Sequence, residues 1–254
     1  MINVERLTSL LSGLSEVEQL HKLAEIFNGQ IVFSTSFQYE DQVILDMIFS
    51  NDIDIEVFTI DTGRLFPETY KAWNKTLEKY HKPIKAYFPD TSLVEQLLTE
   101  KGPLSFYQSV ENRKECCYIR KVLPLERALK DKQCWITGLR SGQGDTRQNV
   151  PLVDWDPKHK VFKINPLHHW SLDKVKEYIN QHLVPYNELH DRGYPSIGCQ
   201  PCTRAVKPGE PIRAGRWWWE QNSKKECGLH VKDEDVEVKL NIKSFSSNSD
   251  KNKK

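Results

Sequence analysis

The chain has little of what would send it into a membrane, out of the cell or onto a nucleic acid. No apolar run approaches the roughly 20 residues of a bilayer-spanning helix. The opening residues, Met1-Ile2-Asn3-Val4-Glu5-Arg6, have neither the charged nor the apolar region of a secretion signal, so a cytoplasmic chain is expected. Net charge is almost absent: 36 Lys and Arg stand against 35 Asp and Glu, leaving +1. No global field then draws nucleic acid or an acidic membrane surface, and any selectivity for anions must be local. There is no internal repeat. Cysteine is scarce too, six in 254 residues, and in a reducing compartment such thiols are poor disulfide candidates and better metal or redox candidates.

What is there is unevenly placed. Four of the cysteines form two pairs, Cys116-Cys117 and Cys199-Gln200-Pro201-Cys202, and a fifth, Cys227, lies near the end. A C-x-x-C turn presents two sulfurs to one centre, and an adjacent pair supplies two more if the fold brings the stretches together. The 81 residues between the inner cysteines exceed anything a zinc ribbon uses, so a shared site must be assembled by tertiary structure. Cys227, in Glu226-Cys227-Gly228-Leu229-His230, is spare, and a spare thiol beside a cation is a nucleophile candidate. Cys134 reads as a buried strand residue.

The length gives a prior of one or two domains, with nothing forcing a second. Leucines 7, 10, 11 and 14, then Val17, Leu20, Leu23 and Phe27, predict two opening helices. Strands are predicted at Ile31-Val32-Phe33, Glu56 to Ile60, Pro83 to Phe88, Cys134 to Thr137, Pro151 to Trp155 and Val161 to Ile164. Helices are predicted over about Gln42 to Phe49, Pro67 to Tyr80, Ser92 to Glu100 with a Ser or Thr cap, around Glu115 to Lys121 until Pro124 interrupts or restarts it, and from Ser171 to His182. This alternation implies right-handed crossovers and a mostly parallel α/β sheet covered on both faces.

Ser34-Thr35-Ser36-Phe37-Gln38-Tyr39-Glu40-Asp41 joins the first inner strand to a helix, the geometry of an anion site and equally of an ordinary capped helix. Asp61-Thr62-Gly63 ends the second strand, where open α/β sheets place ligand contacts. Lys121 is one helical turn past Cys117. The glycine-rich loop after Cys134 carries Arg140, whose fixed fork suits phosphate or sulfate oxygens. Arg213-Ala214-Gly215-Arg216-Trp217-Trp218-Trp219-Glu220 interleaves basic and aromatic residues; with net charge near zero, the tryptophans read as an anchor for an irregular segment rather than a stack for bases.

Together these stretches, Ser34 to Phe37 with Glu40-Asp41, Asp61 to Gly63 with Phe66-Pro67-Glu68-Thr69, Cys116-Cys117, Gly138-Leu139-Arg140, Cys199 to Cys202, Arg213 to Glu220 and Glu226 to His230, resemble the assimilatory adenylyl-sulfate reductases, in the wider family that includes phosphoadenylyl-sulfate reductases. Gln38 stands where relatives commonly carry glycine. The resemblance implies an adenine nucleotide α-hydrolase-like fold: a nucleotide-binding reductase domain with an iron-sulfur site over 1–212, a catalytic segment over 213–230, and a partly disordered tail over 231–254. It implies that Cys116, Cys117, Cys199 and Cys202 hold one [4Fe-4S] cluster. Ser34, Ser36, Asp61, Thr62, Gly63, Lys121, Arg140, Arg213, Arg216 and His230 would bind adenosine 5′-phosphosulfate. Cys227 would attack the sulfate sulfur, forming an S-sulfocysteine that thioredoxin or a similar dithiol resolves.

Members with both cysteine pairs generally use the unphosphorylated nucleotide, which favours it here; the 3′-phosphorylated one, or both, is the alternative. A nucleotide-binding iron-sulfur regulatory protein is a remoter reading, and a zinc protein binding single strands another. An ATP-dependent adenylating enzyme of the same superfamily would keep an S-G-G-x-D-S loop, which Ser34 to Asp41 is not. No nucleic-acid or membrane partner is expected, and the sequence leaves a homo-oligomer open.

Overall fold

The computed structural model describes residues 2–144 and 147–220; Cys227, His230 and the tail from 231, given roles or boundaries above, lie outside them. α1 (Val4–Leu11) starts where the Asn3 side chain accepts the Arg6 N–H. α2 (Glu16–Phe27) starts at a reciprocal box in which Ser15 accepts from the Glu18 N–H and the Glu18 carboxylate accepts from the Ser15 N–H. Then follow β1 (Ile31–Thr35), α3 (Tyr39–Ser50), β2 (Glu56–Ile60), α4 (Pro67–Tyr80), β3 (Lys85–Tyr87), α5 (Thr91–Lys101), α6 (Val110–Cys117), α7 (Leu123–Leu129), β4 (Cys134–Ile136), β5 (Val153–Asp156), β6 (Val161–Ile164) and α8 (Leu172–Gln181).

The strands form one six-stranded sheet in the order β3-β2-β1-β4-β6-β5. Every pairing is parallel except that of β5 with β6. Strands buried on both faces need apolar residues at consecutive positions, and the inner strands β1, β4 and β6 have them. Ile31, Phe33, Cys134, Ile136, Phe162 and Ile164 point into a core shared with α1, α2, α3 and α8. Their neighbours Val32, Trp135 and Val161 point the other way, onto Leu125, Ala128 and Leu129 of α7. The chain leaves β1 for β2 on one side and returns to β4 on the other, so the crevice at the carboxyl ends of β1 and β4 is a topological switch point, where such sheets take ligands.

Local expectations shift in three places. α3 begins at Tyr39 rather than Gln42, because the chain turns at Phe37 (φ +60°) and enters the helix from an extended Gln38. The cap of α5 is Asp90, neither Ser nor Thr; its carboxylate accepts the Leu93 N–H at 3.2 Å. Between α6 and α7, Tyr118–Val122 form a single π turn that runs directly into α7, and Pro124, which has no N–H to donate, follows it. The wider turn sends Ile119, Arg120, Lys121 and Val122 all into buried positions. Among the described residues no helix is long and apolar enough to cross a membrane.

Candidate nucleotide and cysteine site

The loop from β1 into α3 is held by its own side chains. Phe37 carries the left-handed turn although it is not glycine; its buried ring stacks on Trp73 at 5.5 Å, and its N–H is taken by Thr35 Oγ1 at 3.1 Å. Ser34 Oγ accepts the Trp135 indole N–H at 2.9 Å. Ser36 gives both its N–H and its hydroxyl to Asp41 Oδ2, at 2.7 and 2.5 Å. Gln38, at the position where glycine is common among relatives, reaches both ways: its amide N–H donates to Ser36 Oγ at 2.8 Å, and its carbonyl accepts the Ile197 N–H at 2.8 Å. The loop is thereby tied to the segment that leads into Cys199.

A cavity of about 450 Å³ opens at the switch point, within the range that holds a mononucleotide. Ser34, Ser36, Thr62, Lys121, Arg140, Arg213 and Arg216 line it, as does Cys199. Asp61 and Gly63, read from the sequence as substrate contacts, do not. The Asp61 carboxylate accepts the Gly63 N–H (2.8 Å) on one oxygen and the Tyr70 hydroxyl (2.8 Å) on the other, which ties it into the loop after β2. Arg140 is also less available than its sequence suggests, because its Nε donates to Glu40 at 2.6 Å with both side chains nearly buried. Two further basic groups stand on the wall: Arg147, the second arginine of the glycine-rich loop after β4, and Lys176, which sequence reasoning passed over; with Lys121, Arg140, Arg213 and Arg216 they make six, against the two carboxylates of Glu40 and Asp41. The excess is the local anion field that the near-zero net charge required.

His190, also missed, stacks flat on Tyr39 at 3.9 Å. Its Nδ1 lies 2.8 Å from the Tyr194 carbonyl, so that nitrogen donates. Burial pushes its pKa down to about 4, leaving the ring neutral near pH 7.

Cys116, Cys199 and Cys202 come together in one apolar cluster with Phe106, Ile119 and Trp217, and half-buried Cys117 ends α6 immediately after Cys116. Thr62 Oγ1 lies 3.2 Å from Cys199 Sγ. Burial raises the Cys116 thiol pKa and pushes that of Cys202 up to about 12, although Arg120 and Lys121 act on the first, and Lys121 and Arg216 on the second, in the opposite sense. Among the described residues, no three His, Cys, Asp or Glu side chains are grouped as a single ion requires. A polynuclear cluster places different demands on spacing, taking one thiolate at each of several metal atoms. The surroundings fit an anionic group with thiolate ligands: Arg120 Nε and Arg216 Nε are buried beside these thiols with no acceptor. Cys134 lies elsewhere, in the core of the sheet.

The segment 213–220 completes this wall. Trp217 N–H donates to the Cys202 carbonyl at 3.1 Å, and the buried Trp217 ring lies between Arg113 and Arg216, 4.6 and 4.8 Å from their guanidinium carbons. Arg216 lies directly on Gly198, where a Cβ would stand 2.3 Å from its Nη2.

A mostly parallel sheet with a hydroxyl-rich strand-to-helix loop and a basic cavity at its switch point is the adenine nucleotide α-hydrolase-like fold. A solved FMN adenylyltransferase from Candida glabrata shares this fold, with a TM-score of 0.50 at 16% identity over 91% of this chain and 76% of that one. Residues 30–205 match the phosphoadenosine phosphosulfate reductase domain, and the chain belongs to that family. It is 48% identical over 225 residues to an adenosine 5′-phosphosulfate reductase of Sinorhizobium fredii, covering 89% of each chain. It is 46% identical over 200 residues to one of Allochromatium vinosum, covering 79% of this chain and 78% of that one. The crystal structure of a phosphoadenylyl-sulfate reductase from Candida auris superposes with a TM-score of 0.68 at 29% identity, over 81% of this chain and 98% of that one.

Proposed function

We propose that the chain reduces adenosine 5′-phosphosulfate to sulfite and AMP in assimilatory sulfate reduction, with electrons from thioredoxin or a similar dithiol protein in a reducing cytoplasm. The observation that carries this reading is the cavity at the switch point, where six basic side chains surround a serine loop and Cys199 forms part of the wall. The names of the bacterial relatives support the unphosphorylated nucleotide. The fungal structure keeps the 3′-phosphorylated one as a second reading.

The substrate is a mixed anhydride with negative oxygens on both groups, and a thiolate approaching its sulfur meets repulsion. Lys121, Arg213, Arg216 and His230 offset that charge and the charge growing on the leaving phosphate. The Cys227 thiolate attacks the sulfate sulfur; as the S–S bond forms, the bond from sulfur to the AMP oxygen breaks and AMP leaves with its electron pair. A thiolate of the external dithiol then attacks Cys227 Sγ, and sulfite departs with the electrons of the S–S bond. The second thiol closes the dithiol into a disulfide and frees Cys227. Cys116, Cys117, Cys199 and Cys202 would hold one [4Fe-4S] cluster, which when bound supplies charge beside Lys121 and cross-links α6 to the 199–202 turn.

An anaerobic assay of iron-replete protein with thioredoxin tests this. Sulfite should be released faster from adenosine 5′-phosphosulfate than from its 3′-phosphorylated form, and Cys227→Ser should bind nucleotide without forming a sulfonated protein. Absence of sulfite with both nucleotides, or a labelled adduct on Cys227→Ser, overturns the reading.

A further inference from the structure

A strand-to-helix loop that takes an anion does so through its free N–H and hydroxyl donors. Here Ser36 is already engaged. Its N–H and hydroxyl both end on Asp41 Oδ2, and the hydroxyl oxygen in turn accepts from Gln38, so neither donor of Ser36 is left for a ligand. Asp41 lies in the first turn of α3, at the helix end that favours negative charge. On its other side the chain has made room for the carboxylate: a Cβ on Gly138, just past β4, would stand 2.1 Å from Asp41 Oδ1 and 3.2 Å from its backbone nitrogen. The charged groups facing it are Glu40 from its own turn, paired with Arg140, and Arg147 from the loop after β4. A carboxylate thus occupies the place, at the wall of the basic cavity, where the substrate's own oxygens would seek the Ser36 donors.

Resting on the reading that this cavity takes adenosine 5′-phosphosulfate, we infer that Asp41 is a built-in counter-anion of the β1–α3 loop, and that the nucleotide's phosphosulfate binds together with a proton captured by Asp41. Ionised, Asp41 both repels the incoming anion and keeps the Ser36 donors. Protonated, it is a weaker acceptor, releases them, and gains an O–H of its own to donate. Burial pushes its pKa up to about 6, outweighing the two Ser36 hydrogen bonds and the Arg147 charge; Glu40 adds to the rise. A bound anion raises it further. The sign follows by linkage. Affinity is highest below pH about 6, where the free protein already carries the proton, and falls as pH rises toward the pKa of the complex, by up to about tenfold per pH unit. The phosphosulfate carries fixed charge across that interval, so the change belongs to the protein.

Cluster-loaded Cys227→Ser protein, which cannot turn over, allows the test by calorimetry with adenosine 5′-phosphosulfate at pH values from about 5.5 to 8.5, in two buffers of different ionisation enthalpy. The dissociation constant should rise about tenfold or more between pH 6 and 7.5, with most of a proton taken up per nucleotide at pH 7. Adding Asp41→Asn should flatten the profile, abolish most of the uptake and tighten binding at pH 7.5. In the Cys227 enzyme Asp41→Asn should move KM far more than kcat. Equal weakening at every pH would mean a scaffold role and overturn the inference. If Asp41→Asn does not fold, the parent's proton count decides: no uptake at pH 7 overturns it. Failure of the reductase reading looks different, namely proton-linked binding of the nucleotide by a wild-type protein that releases no sulfite.

Discussion

Glu220 grips Arg113 with two hydrogen bonds, Nε to Oε1 at 2.7 Å and Nη2 to Oε2 at 3.0 Å, between side chains only 3% and 5% exposed. This pair fastens the 213–220 segment to α6, the helix that ends on the adjacent cysteines. A buried ion pair is weak evidence of net stabilisation, but removing one partner strands a charge out of water. Glu220→Ala should cost about 3–5 kcal/mol, measured by urea denaturation. The Arg113→Leu, Glu220→Leu double variant should recover much of that loss, because neither charge is then buried alone. A loss below about 1 kcal/mol in Glu220→Ala would place the pair in effective contact with solvent.

That clasp also marks the limit of what the sequence made legible. Ile31-Val32-Phe33 announced a strand covered on both faces, and the structure puts Ile31 and Phe33 in one core and Val32 in the other. Periodicity carries that information within a few residues. Arg113 and Glu220 are 107 residues apart, and nothing local to either says that they meet. The same holds within the site. Lys121, Arg213 and Arg216 were legible as cations, and the structure brings them to one cavity. Asp61 was legible only as a carboxylate at a strand end, and its partner Tyr70, nine residues on, was not. The π turn that buries Arg120 beside Lys121 lies just before Pro124, which the sequence marked only as an interruption or restart of the helix, with nothing to say which side chains the wider turn would bury.

The Glu40–Arg140 pair places one carboxylate on the wall of the basic cavity. Gln at position 40 keeps an acceptor for Arg140 Nε but removes a negative charge from a wall that a dianionic nucleotide approaches. Glu40→Gln should lower the nucleotide KM, by on the order of tenfold at low salt and less as ionic strength rises. The 3′-phosphorylated nucleotide should gain more than the unphosphorylated one, because it brings more charge. Steady-state kinetics with both nucleotides at two salt concentrations would show this, and an unchanged KM at low salt would remove Glu40 from the electrostatics of binding.

Gly198 is required by Arg216. A methyl group there would overlap Nη2 at 2.3 Å and Cζ at 2.6 Å, and the end of a long side chain yields more readily than backbone does. Gly198→Ala should therefore turn Arg216 away from Ser196 and the Ile197 carbonyl, which it contacts at 3.2 and 3.4 Å. The fold should survive, with kcat/KM reduced by roughly tenfold or more, since a guanidinium fork out of position is a poor anion partner. A large fall in melting temperature with normal kinetics would reverse this ranking.

The cysteines separate cleanly by what surrounds them. Cys134 lies in the core of the sheet, and burial raises its thiol pKa well above the ordinary value. Cys134→Ser buries a hydroxyl in an apolar core, so it should cost on the order of 1–3 kcal/mol while leaving iron and acid-labile sulfide content unchanged. Cys199→Ser should do the opposite. Cys199 lies against Thr62 and shares an apolar cluster with Cys116 and Cys202, so, with the proposed cluster bound there, removing its sulfur should empty the site of iron and sulfide. The loss of stability should then match that caused by stripping iron from the wild-type protein with a chelator, because the ligand-binding free energy that supports the folded state disappears in both. Iron analysis and melting curves on the two variants and the stripped protein decide the matter: if Cys199→Ser kept its full complement of iron, the thiolate set would have to be drawn elsewhere in the chain.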